Sequence, residues 1–87
     1  MISKNMIVKN ENGLGARSVA VFVQIACQYD SKVFVEYDNK KVNAKSIMGM
    51  MTLSLRAGEE LTVVVDGEDE EAAVKDIEEF LSSNEDR

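Results

Sequence analysis

Histidine is missing altogether from this sequence of 87 residues. Its absence excludes a His–Asp catalytic pair, a histidine metal site and a phosphohistidine. Proline and tryptophan are missing too, and there is a single cysteine, Cys27, so no internal disulfide can form. Cys27 falls in an apolar run at helical spacing from Val23, and the expectation is an inert, buried thiol suited to a reducing cytoplasm. No apolar run approaches the ~20 residues that a bilayer crossing requires, and no secretory leader is legible. The reading is a cytoplasmic chain without membrane insertion. Its length suits one domain, residues 1–87, with one modest core.

Charge is scarce in one sign over part of the chain. Residues 1–56 carry eight Lys and Arg against four Asp and Glu, whereas residues 57–87 carry two against twelve, for a net −6. Nucleic-acid binders are usually basic overall, so direct nucleic-acid binding is disfavoured. A local basic patch on an acidic domain better suits an anionic group on a small molecule or protein partner.

What is present reads as alternating elements. "ISKNMIV" (2–8) is an expected strand, followed by turn residues. Ala16, Val19, Ala20, Val23, Ala26 and Cys27 follow i, i+3, i+4, i+7 spacing and predict an amphipathic helix. "KVFVEY" (32–37) predicts a strand, "DNK" a turn, and "KVNAK" (41–45) a short returning strand. "SIMGMMTL" (46–53) fits one or two helical turns, "LTVVVD" (61–66) a strand, and Val74, Ile77, Phe80 and Leu81 mark a helix over 69–83. The order β-α-β-β-α-β-α predicts an α+β fold, an open-faced β-sandwich. Its four-stranded antiparallel sheet has order 1-4-2-3, with three helices on one face.

Three stretches carry candidate chemistry. In "GLGARS" (13–18), Gly15 would cap the first helix. The following N–H groups, the helix dipole and Arg17 would then converge on one point, making Gly15, Ala16, Arg17 and Ser18 a candidate phosphate or carboxylate site. A glycine-capped helix whose arginine points into water is the competing reading. Ser46 is an expected N-cap; a phosphate there would add negative charge at a helix start, with Lys45, Lys41 or Lys40 as neighbours. Ile47, Met48 and Met51 lie near one stripe of a helix too short to bury residues all round, which predicts a partly exposed apolar patch for partner binding. The acids of "EDEEAAVKDIEE" (68–79) are read as a helix start and a solvated face. They lack the spacing of a calcium loop, and no metal or other cofactor is expected.

"NGLGARSVAVFVQIA", "KKVNAKSIMGMMTL" and "GEDEEAAV" together resemble the histidine-containing phosphocarrier HPr of the bacterial sugar phosphotransferase system, over essentially the whole chain. That resemblance implies the same fold and strand order. It also exposes a departure: Gly15 stands where the family has the histidine that accepts phosphate from enzyme I and passes it on. Ser18 stands where proline usually follows the motif arginine. No catalytic residue is therefore expected. By the same resemblance Arg17 matches the phosphate-contacting arginine, Ser46 the serine modified by HPr kinase/phosphorylase, and Ile47, Met48 and Met51 the docking patch; Arg17 also counts among the partner-binding residues. One histidine-less branch of the family keeps that serine. In phosphorylated form it acts as corepressor for a LacI-type repressor, catabolite control protein A. The implied function is non-enzymatic: regulation in carbon catabolite repression. The alternatives are an unphosphorylated module that meets other HPr-binding proteins, or a phosphocarrier using Ser18.

Overall fold

The computed structural model describes residues 1–9, 13, 15–53 and 55–82. Along the chain run β1 (Ile2–Ile7), α1 (Ala16–Cys27), β2 (Lys32–Tyr37), β3 (Lys40–Asn43), α2 (Ile47–Met51), β4 (Glu60–Asp66) and α3 (Glu70–Ser82). The four strands form one sheet in the order β1-β4-β2-β3, and every neighbouring pair is antiparallel. This is the expected open-faced sandwich. The central strands show why: Val33 and Val35 of β2, and Leu61, Val63 and Val65 of β4, alternate into the core opposite the helices.

The β2–β3 connection is one residue tighter than "DNK" suggests. Asp38 and Asn39 alone make the turn, with φ of 51° and 63°, and Lys40 already pairs with Tyr37. Two consecutive left-handed residues match the right-handed twist of the strands they join. β3 consequently ends at Asn43 rather than at Lys45.

Helix α1 sits in a different rotation from the one expected. Ser18, Val19, Phe22, Ile25 and Ala26 are buried, whereas Ala16 and Cys27 are exposed and Ala20 and Val23 are only half-buried. The buried stripe is turned by about one residue position, roughly 100°. Size explains the outcome, because Phe22 and Ile25 remove far more apolar area from water than Ala16, Ala20 and Cys27 would. Phe22 meets Phe80 of α3 edge-on, with ring centroids 6.1 Å apart and planes at 83°. That contact ties the first and last helices over the sheet.

Two glycines are required by their surroundings. Gly13 has φ of 68°, and a Cβ there would lie 2.7 Å from the carbonyl oxygen of Leu55. A Cβ on Gly67 would lie 2.6 Å from the Cα of Ser31, so the turn into α3 can close on the α1–β2 loop only without a side chain.

Candidate functional site

Gly15 is the N-cap of α1 and makes no side-chain cap. The first intrahelical bond runs from the N–H of Val19 to the carbonyl of Gly15, at 2.9 Å. The N–H groups of residues 16–18 therefore have no carbonyl partner within the helix. No acid in the first turn offsets the positive end of the dipole. Arg17 is exposed, with no ion pair among the described residues. Asp69 is bonded to Ser31 and not to Arg17; Glu11 lies outside the described residues.

The four candidate anion-binding residues are not equivalent. Gly15, Ala16 and Arg17 are exposed, but Ser18 is only 6 % exposed, so its side chain belongs to the helix's inner face. Gly15 itself is ordinary backbone, with φ −77° and ψ −176°. No atom lies within 4 Å of the Cβ that any other residue would place there. Glycine at this position answers no steric demand.

The second group of candidates is built by α2. Ser46 caps it: extended at φ −104° and ψ 113°, it accepts the N–H of Gly49 on Oγ at 3.3 Å. Its carbonyl takes the N–H of Met50 at 3.0 Å. Met50 is the one methionine of α2 driven fully into the core, packed beneath the helix. That anchor turns the remaining apolar side chains outward, leaving Ile47 45 %, Met48 80 % and Met51 56 % exposed. Ser46 is exposed as well, so a hydroxyl and an apolar patch share one open surface.

The lysines near Ser46 in sequence are differently occupied. Lys45 donates from Nζ to the carbonyl of Tyr29 at 2.7 Å. Lys41 lies 3.9 Å from Glu36 and sits over the ring of Phe34 at 4.9 Å. Lys40 is exposed at the hairpin. Cys27 corrects an expectation: its thiol is exposed, not core. The thiol lies 4.0 Å from the carbonyl oxygen of Lys45. The same contact locates Ser46 in the fold. Lys45 touches the last residue of α1, whereas Arg17 lies in its first turn, roughly 15 Å away at 1.5 Å per residue.

Three ionisable groups to which the sequence reading gives no individual role are shifted by their neighbours. Asp69 accepts the Ser31 hydroxyl, the Asp30 N–H at 2.8 Å and the Ser31 N–H at 3.0 Å. These donors, the Ser31 hydroxyl foremost, hold its carboxyl below the usual range. The chain's amino group, followed by the Gly67 N–H, does the same for Glu70. Tyr37 donates its hydroxyl to Glu59, and that bond together with burial raises its pKa. Asp69 and Ser31 are 38 residues apart, so local spacing gives no sign of their meeting.

Comparison with known proteins supplies a frame for this geometry. The family model described as "PTS HPr component phosphorylation site" matches residues 2–83. The HPr-like protein Crh of Halalkalibacterium halodurans is 44% identical over 81 residues, covering 93% of this chain and 96% of that protein. Among solved structures, HPr of Thermoanaerobacter tengcongensis superposes with a TM-score of 0.91 at 44% identity, over 97% of this chain and 94% of that one. Crh of Bacillus subtilis, solved as a domain-swapped dimer, gives a TM-score of 0.73 at 44% identity over 93% of each chain.

Proposed function

This chain belongs to the HPr family, and we propose that it is a regulatory member akin to Crh, switched by phosphorylation of Ser46. HPr kinase/phosphorylase is the proposed modifying enzyme. A LacI-type repressor, catabolite control protein A, is the proposed reader of the phosphorylated form, within carbon catabolite repression in the cytoplasm. The observation that carries this reading is the pairing of an exposed capping hydroxyl at Ser46 with the exposed side chains of Ile47, Met48 and Met51.

In the modification step, Ser46 Oγ attacks the terminal phosphorus of a nucleoside triphosphate held by the kinase. The new O–P bond forms as the bond to the diphosphate breaks, and the hydroxyl proton passes to a base of the kinase. The oxygen that receives the phosphate is the one that caps α2. The backbone therefore already holds the acceptor in place, and the added charge lands at the edge of the apolar patch. A partner with a basic pocket beside a hydrophobic groove gains charge-assisted hydrogen bonds, and one with an acidic rim is repelled. The chain itself acts as substrate and ligand, without catalysing a step.

Arg17 and the start of α1 then serve as a second anchor. The length of α1 between Arg17 and the Cys27–Lys45 contact favours an anion of the partner, rather than this chain's own Ser46, as the group Arg17 meets. A carrier role through Ser18 is disfavoured by its burial. The reading as an unphosphorylated interaction module draws on the patch alone, which is open whether or not Ser46 carries phosphate.

The deciding experiment is incubation with HPr kinase and ATP, followed by repressor binding at one fixed salt concentration. Stoichiometric labelling of wild type but not of Ser46→Ala, with tighter repressor binding after labelling, is the expected result. Equal affinity of both forms leaves the interaction module.

A further inference from the structure

Beyond the C-terminus of α2 lies a cleft of about 280 Å³ that the Ser46 surface does not include. Tyr37, Asp38 and Lys40 form the wall on the hairpin side, and Leu53, Arg56 and Glu59 form the other. Both walls are fixed. The hairpin is held by its two-residue left-handed turn and the Tyr37–Lys40 pairing. The hydroxyl of Tyr37 reaches across to Glu59 and ties one wall to the other.

The charges in this cleft are unequally used. Glu59 is occupied by Tyr37. Lys40 and Arg56, both exposed, have no ion pair among the described residues. Asp38, at the hairpin turn, leaves the empty cleft near neutral overall. Two cations without an ion pair suit one added carboxylate, whereas Asp38 and Glu59 repel a polyanion. At about 280 Å³ the cleft lies at the lower end of the ~300–1,000 Å³ typical of small-molecule sites, and with its mostly polar lining it admits a single charged side chain with room to spare. Thr52, the C-cap of α2, also lines the cleft. Thr52 directly follows Met51, so the cleft begins one residue beyond the exposed patch.

We propose that this cleft receives one Asp or Glu side chain of a protein partner docked on α2, gripped by Lys40 and Arg56. The patch supplies the apolar centre of such an interface and the cleft its polar rim, which sets the register of the partner along the helix. This extends the regulatory reading and rests on it only for the identity of the partner.

Two measurements separate the cleft from that reading. In the first, amide shifts of the full chain are followed as blocked acetyl-Leu-Glu-Leu-amide is added, with acetyl-Leu-Gln-Leu-amide as control. Saturable shifts at Lys40, Thr52 and Arg56 are expected with the Glu peptide alone, and their loss is expected in Lys40→Ala/Arg56→Ala. Absent shifts, equal shifts with the Gln peptide, or shifts that survive the double substitution overturn the proposal. So does an equal response to citrate or inorganic phosphate, which would mark a general anion site. In the second, Lys40→Glu/Arg56→Glu in the Ser46-phosphorylated chain should weaken repressor binding roughly tenfold, the scale of two exposed ion pairs lost. Unchanged repressor affinity in the variant overturns the proposal. A repressor that ignores wild type altogether refutes the regulatory reading, while the peptide titration still decides the cleft.

Discussion

Asp69 and Ser31 form a two-point clasp: the hydroxyl and the N–H of Ser31 both donate to one carboxylate oxygen of Asp69. The clasp joins the α1–β2 loop to the turn that starts α3, at the place where Gly67 lets the two backbones close. Because these donors favour the charged carboxylate, its folded pKa lies below the ordinary 3.8. The stability it contributes is thus complete above the ordinary carboxylate range and is lost as pH falls through the folded value. Asp69→Ala should lower the melting temperature at neutral pH and flatten the acid limb of a stability-against-pH curve. Thermal melts of both proteins from neutral pH down to the acid limit check this.

Gly15→His should restore phosphate uptake from enzyme I and phosphoenolpyruvate, because Arg17 and the helix N-terminus remain and nothing lies within 4 Å of the Cβ it adds. The wild type should show no mass change under the same conditions. Folding stability should fall by no more than about 1 kcal/mol, because the change is made at a helix cap and not in the core. Intact mass before and after acid treatment, with a denaturant melt alongside, tests both halves. Failure of the variant to gain an acid-labile phosphate would contradict this expectation.

Ser46 has two separable roles. Ser46→Ala should abolish labelling and cost about 1 kcal/mol through the lost cap. Ser46→Asp should abolish labelling too but keep the stability, since its carboxylate can accept the Gly49 N–H. Urea titrations of the two variants distinguish a lost cap from a lost phosphate site.

The methionines of α2 should divide by burial. Met48→Asp should leave folding nearly unchanged, yet weaken a phosphorylation-dependent complex by roughly tenfold or more, as removal of a central contact does. Met50→Ala should instead destabilise the fold by about 2–5 kcal/mol through the cavity it opens. Repressor titrations and denaturant melts run on both variants give opposite patterns. Equal effects of the two on stability would contradict the outward position of Met48.

The elements legible in the sequence were those in which local pattern and burial agree. β4 is an example: its apolar alternation points to the same face that the sheet buries. α1 was legible as a helix but not in its rotation, because "ARSVAVFVQIAC" is apolar on nearly every side and spacing alone cannot rank the stripes. The side-chain sizes of Phe22 and Ile25 decide the matter, and they also put Cys27 outside. At the candidate site, the cap at Ser46 and the exposed stripe beside it followed from residue type and helix length. The clasp at Asp69 and the Tyr37–Glu59 bond did not, since each joins segments that only the finished fold brings together.

The open surroundings of Gly15 have an evolutionary consequence. No steric demand fixes that position: extended backbone suits any residue and nothing lies within 4 Å of an added Cβ, so residue type weighs on folding there only through the helix cap. Selection there weighs chemistry against a cap preference of about 1 kcal/mol and against no packing constraint. A lineage can therefore gain or abandon a nucleophile at residue 15 without passing through a poorly folded ancestor. Ser31 and Gly67 enjoy no such freedom, because a change at either is tested first by whether the loops still close.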